Sequence, residues 1–274
     1  LVQQGVTMES MQGESRIVTV LFSDIRGFTT LSEKHSAEEI VRLLNRYFSM
    51  QVDTIFKHGG TLDKFIGDAI MAFWGAPVPD PEHARNAMLA AFEMHGAMQS
   101  LLPRFRKQGW PELGVGIGLN SGQMRVGNMG SEFRIAYTVL GDAVNLGARI
   151  ESLTREYGVT VAVGQQTREA LPDIGCLELD IVRVRGKERP VAIYEPLGPQ
   201  AELDNETLAM CKRHERALQL YRTREWDDAE REFYLLHQSY PERRIFRVYL
   251  DRIAHCRNEP PGADWDGVFT QRVK

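Results

Sequence analysis

Apolar residues recur along this chain in two different rhythms. Residues 17–22 (IVTVLF) form a short β-branched run, the pattern of a strand buried on both faces. A polar turn starting at Ser23 follows and leads into a helical stretch. Over residues 37–56 the apolar positions Ile40, Leu43, Leu44, Tyr47, Phe48 and Ile55 keep mainly helical spacing, and Gly59-Gly60 stops that helix. Residues 61–66 and 69–74 flank Gly67-Asp68 and predict a hairpin. Pro77, Pro79 and Pro81 mark a rigid loop, and an Ala- and Met-rich helix spans residues 82–107. Strand-like runs follow at 113–120, 124–127 and 135–140, then a helix capped by Asp142 that runs to about residue 154. Further strands fall at 159–163, 177–184 and 191–195, with a short helix near 165–171. Strands interleaved with a few long helices predict an α+β (α/β sandwich) fold, a mixed sheet flanked by helices.

The first 15 residues are polar and aperiodic and read as a linker. At Gly198-Pro199 the pattern changes again, and residues 203–257 become amphipathic and helical. His214, Ala217, Tyr221, Trp226, Ala229, Phe233 and Pro241 are spaced like one tetratricopeptide hairpin. One such unit cannot bury its apolar face alone, so it is expected to pack on the preceding domain or on a protein partner. The expected organisation is therefore 1–15 linker, 16–198 main domain and 199–274 helical extension.

Composition narrows the field of functions. The 274 residues are 43% hydrophobic with a formal net charge of -4, which speaks against broad binding to nucleic acid or anionic membranes. Cys176, Cys211 and Cys256 are odd in number and widely spaced, as expected of reduced thiols in a cytoplasmic setting. No apolar run is long enough to span a bilayer, and no secretory leader is recognisable. The chain begins at Leu1, which leaves room for a sensor or membrane-bound domain ahead of it.

Two pairs of polar residues carry candidate chemistry. Asp24 follows a buried strand and Asp68 sits in a hairpin turn. If strand and hairpin are neighbours, the two carboxylates share a sheet edge and suit Mg²⁺ or Mn²⁺, completed by water and phosphate. Taken singly, Asp24 also reads as a helix cap and Asp68 as a turn residue. Asn145 and Arg149 are four apart on a helix and share a face, fit to orient an alkoxide and hold phosphate charge, or else simply solvated. Gly114, Gly116 and Gly118 lie inside a strand-like run and are not read as a nucleotide loop.

The segments FSDIRGFTTLSE (22–33), GGTLDKFIGDAIMAFWGAP (59–77) and YTVLGDAVNLGARIE (137–151) resemble the signature blocks of class III adenylyl and guanylyl cyclases, in the family's order. NSGQMRVGNMGS (120–131) also fits, and the likeness covers roughly residues 14–197. It implies a ferredoxin-like βαββαβ core and conversion of ATP to cyclic AMP and pyrophosphate, with two Mg²⁺ or Mn²⁺ ions per active site. By the same resemblance Asp24 and Asp68 bind metal, aided by the Ile25 carbonyl. Phe28 and Thr29 belong to the substrate site. Lys64 reads the purine, with Thr138 in the partner position, where many adenylyl cyclases carry aspartate. Guanylyl cyclases of the family typically show glutamate and cysteine at these two positions, so the Lys64/Thr138 pair points to adenine. Asn145 and Arg149 match the pair that stabilises the transition state. Arg185 stands where the family usually has a phosphate-gripping lysine, in VRGK rather than VKGK (184–187).

The resemblance further implies a head-to-tail homodimer with shared sites. Asp24 and Asp68 then come from one protomer, and Lys64, Thr138, Asn145, Arg149 and Arg185 from the other. Two alternatives stand beside an adenylyl cyclase. One is a guanylyl or dual-specificity cyclase, and the other is a catalytically silent nucleotide-binding regulatory module.

Overall fold

Strand β1 (Glu14–Arg26) is flanked on both sides by other strands, and the main core is built around it. The computed structural model of the chain describes residues 13–107, 109–110, 113–131, 134–183, 190–262 and 264–268. The chain falls into two compact units, residues 1–152 and 153–274.

In the first unit β1 is followed by helices α1 (Phe28–Lys34) and α2 (Ala37–Lys57), then by the hairpin of β2 (Thr61–Ile66) and β3 (Ala69–Trp74). Helix α3 (His83–Lys107), β4 (Gly114–Ser131), β5 (Arg134–Leu140) and the start of α4 (Asp142–Tyr157) complete it. The strands lie in the order β2-β3-β1-β4, with β5 on β4, all antiparallel. The path β1-α-β2-β3-α3-β4 is the ferredoxin-like βαββαβ arrangement expected above.

Alternation along β1 sends Val18 and Val20 to one face, where they meet Met71, Phe73, Met124, Val126 and Val144. Thr19 faces the other way, with its Oγ1 2.7 Å from His83 Nδ1 at the start of α3. Both faces are thus covered, as the unbroken apolar run predicts. The strand runs further than that run, through Asp24 opposite Gly116 to Arg26 opposite Gly114. A strand ends where its pairing ends, and here that lies four residues past Phe22. Glu14 and Ser15, read as linker, open the same strand.

The separate runs at 113–120 and 124–127 prove to be one 18-residue strand, β4. Asn120 and Ser121 break the apolar pattern but are only 3% exposed. Their polar groups are satisfied, Asn120 Nδ2 by the Ala143 carbonyl at 2.7 Å and Ser121 Oγ by Thr19 Oγ1 at 2.7 Å.

Helix α2 starts at a capping box in which the Glu39 amide donates to Ser36 Oγ (3.3 Å) and the Ser36 amide to Glu39 Oε2 (3.0 Å). Two glycines let α4 lie close on the sheet. A Cβ on Gly118 would sit 2.3 Å from the Glu151 backbone nitrogen, and one on Gly147 would sit 2.8 Å from Val20 Cγ1.

The second unit contains β6 (Val161–Gly164), α5 (Gln165–Glu169), β7 (Ile174–Val182) and β8 (Val191–Pro199), with antiparallel order β6-β8-β7. Helices α6 (Asn205–Arg222), α7 (Trp226–Ser239) and α8 (Arg244–Asn258) follow, one more than a single helical hairpin. Their apolar faces find a surface within the chain. His214 Nε2 donates to the Glu178 carbonyl of β7 at 2.6 Å, and the Tyr249 hydroxyl donates to the Leu179 carbonyl at 2.8 Å. Beneath them Asp180 accepts from the Tyr157 hydroxyl (2.5 Å) and from Arg252 Nη1 (2.9 Å), while Arg252 Nη2 reaches Glu156 at 2.9 Å. The three cysteines are free thiols.

Candidate active site

Asp24 lies two residues before the end of β1, and Asp68 lies in the β2–β3 turn, where Gly67 takes the left-handed backbone (φ 64) that the reversal needs. Because β3 pairs with β1, with Ile70 opposite Ser23, the turn lies at the same sheet edge as Asp24. The two carboxyl groups come within hydrogen-bonding contact, and Asp68 also accepts the Ile25 amide. Burial and then the negative charge of Asp24 push the Asp68 carboxyl up to about 6. The edge expected from the sequence is therefore present.

Two carboxylates crowded together form a site that a divalent cation would relieve. Among the described residues no group of three His, Cys, Asp or Glu side chains could hold a metal. The chain would supply two hard carboxylates and the backbone of Ile25, and water and phosphate oxygens would fill the rest. That donor set fits Mg²⁺ or Mn²⁺ and not a softer, protein-caged ion.

Lys64 on β2 and Thr138 on β5 also come together, with Nζ 3.5 Å from Oγ1. A third residue joins them that sequence reasoning missed. The Thr138 hydroxyl donates to Asp63 Oδ2, and Lys64 Nζ lies 3.3 Å from Asp63 Oδ1. The Asp63 side chain is fully buried (0% exposed), whereas that of Lys64 is 47% exposed. Neighbours on a regular strand point to opposite faces. Here the β2–β3 register shifts between Leu62, opposite Ala72, and Lys64, opposite Met71. Asp63 is the extra residue of this β-bulge, which lets it share a side with Lys64. Nothing in the local sequence signals a bulge at that point.

Asn145 and Arg149 are exposed one turn apart on α4, while Val144, Leu146 and Ile150 of the same helix are buried. The helix start is fixed by the Val144 and Asn145 amides donating to the Gly141 carbonyl at 3.0 and 3.3 Å. Phe28 and Thr29 open α1, immediately after Gly27. Arg185 lies outside the described residues. Tyr47 of α2, read from the sequence only as a core position, is buried beside Ser23 without a well-formed hydrogen bond to it. Burial, with added repulsion from Asp24 and Asp68, raises its phenol well above the usual range and keeps it neutral.

Residues 10–195 match the family model described as the adenylate and guanylate cyclase catalytic domain. Adenylate cyclase 1 of Rhizobium meliloti is 33% identical over 202 residues, covering 72% of this chain and 30% of its own length. The chain thus spans under a third of that curated relative. The crystal structure of the adenylyl cyclase CyaB from P. aeruginosa aligns with a TM-score of 0.64 and 36% identity, over 70% of this chain and 98% of that one. The crystal structure of the guanylyl cyclase Cya2 aligns with a TM-score of 0.62 and 37% identity, over 71% and 98%.

Proposed function

The chain belongs to the adenylate and guanylate cyclase catalytic domain family, and we propose that it converts ATP to 3′,5′-cyclic AMP and pyrophosphate in a head-to-tail homodimer. The observation that carries the choice of base is the meeting of Lys64 and Thr138 across β2 and β5. A lysine ammonium only donates, so it suits the acceptor N1 of adenine and opposes the N1–H of guanine. Thr138 Oγ1 has lone pairs to accept the adenine amino group.

The remaining residues divide the work. Asp24 and Asp68, with the Ile25 backbone, would hold the two divalent cations. Bound there, such ions supply Lewis acidity for the ribose 3′-hydroxyl and charge neutralisation for pyrophosphate. Asn145 and Arg149, exposed on α4, would orient the ribose and offset charge growing on the α-phosphoryl oxygens as the 3′-oxygen attacks in line. Phe28 and Thr29 would line the phosphate side, and Arg185 would grip the terminal phosphates.

Members of the family act on nucleotides as dimers, and the surface of the first unit supports that assembly here. Phe65 and Ile66 on β2 and Leu140 at the end of β5 remain 44%, 52% and 54% exposed beside the Lys64–Thr138 pair. No helix among the described residues is long and apolar enough to cross a membrane. A cytoplasmic catalytic domain fits that finding together with the free cysteines.

A second reading, guanylyl or dual specificity, is favoured by the likeness to Cya2. Turnover of purified protein with ATP and with GTP, in Mg²⁺ and in Mn²⁺ and over a range of protein concentrations, separates the two. Cyclic AMP formation whose specific activity rises with concentration supports both the substrate and the shared site. A preference for GTP overturns the adenine reading.

A further inference from the structure

A hydroxyl can donate or accept, so Thr138 alone leaves the choice of purine open. The buried side chain next to it removes that freedom. We infer that Asp63 is a positioning residue for base selection, holding the Thr138 hydroxyl as an acceptor only. This rests on the adenylyl reading above.

The argument begins with proton bookkeeping. A carboxylate has no proton to give, and the Lys64 ammonium already lies 3.3 Å from Asp63 Oδ1. The Thr138 hydroxyl therefore spends its one proton on Asp63 Oδ2. One lone pair meets the Lys64 ammonium at 3.5 Å, and what the hydroxyl has left for a base is acceptor capacity only. Adenine offers an amino group at C6 and is matched there. Guanine offers a carbonyl at the same place, and two acceptors then oppose each other.

Lys64 by itself cannot enforce this, because an ammonium also satisfies the guanine carbonyl. The bulge at Asp63 is what brings the carboxylate to Thr138, since an unbulged strand would send residues 63 and 64 to opposite faces. Asp63 is fully out of water, so its effect on the hydroxyl is not diluted by solvent.

The test is Asp63→Asn in the full chain, an exchange that preserves shape. Lys64 would hold the amide oxygen toward itself, which turns the NH₂ toward Thr138 and frees the hydroxyl proton to donate. The ratio of kcat/KM for ATP to that for GTP is expected to fall about tenfold or more, the scale of one mismatched buried pair. In a Thr138→Val background the same exchange should leave the ratio unchanged. A merely structural role would lower both nucleotides together and leave the ratio alone. If the variant loses turnover with both, the ratio of ATP to GTP dissociation constants gives the same reading. An unchanged ratio in an enzyme that prefers ATP overturns the inference and leaves the adenylyl reading standing. A wild-type preference for GTP overturns both.

Discussion

Arg252 of α8 and Asp180 of β7 form an ion pair at 2.9 Å in which the two side chains are only 6% and 4% exposed. Tyr157, Tyr249 and Glu156 complete its hydrogen bonding, so neither charge is left uncompensated. Removing one partner would strand the other in a dry environment. Arg252→Leu should therefore cost about 3–5 kcal/mol of stability, read by denaturant unfolding. A loss under 1 kcal/mol would show that water reaches the pair.

His214 gives the helical extension an acid sensitivity. Burial lowers its pKa to about 4 from an ordinary 6.5, partly opposed by the Glu178 carbonyl. The native state thus binds fewer protons than the unfolded chain between those values. Stability should fall as pH drops from about 6.5 to about 4, by about 3 kcal/mol, and no further below. His214→Gln keeps a donor for the Glu178 carbonyl without titrating. The unfolding free energy of wild type minus that of the variant should fall as the solution is acidified from pH 7 to pH 4.5.

At the acidic edge, Asp68→Ala should abolish turnover, by about a thousandfold or more, while leaving the far-ultraviolet circular dichroism and the melting temperature near wild type. Asp68 lies in a turn, partly exposed, so its loss opens no core cavity. Full activity in that variant would remove the metal assignment.

Complementation tests the sharing of sites. Asp24→Ala and Arg149→Ala chains should each be inactive alone. Mixed in equal amounts they should form about half heterodimers, each with one intact site in two, and recover about a quarter of wild-type activity. No recovery, with heterodimers shown by mass spectrometry, would place all the residues of a site in one chain.

What the sequence disclosed follows from what short-range patterns can carry. The hairpin at 61–74 was legible because its turn is written as Gly67-Asp68 between apolar runs, and that one motif also located Asp68. Asn145 and Arg149 were legible because helical spacing states which residues share a face. The far end of β1 was not legible, since pairing with Gly114 and Gly116 of β4 extends it beyond its last apolar residue. Asn120 and Ser121 hid the continuity of β4 because their partners are 23 and 102 residues away. Asp63 was hidden for a similar reason. A bulge is a property of two strands in register, and its partner Thr138 is 75 residues distant.

The glycine seats under α4 bear on how its exposed residues can move. With Gly118 admitting the Glu151 backbone and Gly147 closing on Val20, α4 is seated directly on the sheet from its second turn to its third. Asn145 and Arg149 are therefore mounted like teeth on a rigid cog. On the shared-site reading, withdrawing them from a bound nucleotide would require α4 to move together with the strands beneath it. A single methyl added at Gly118 would meet the Glu151 backbone and force helix and strand apart.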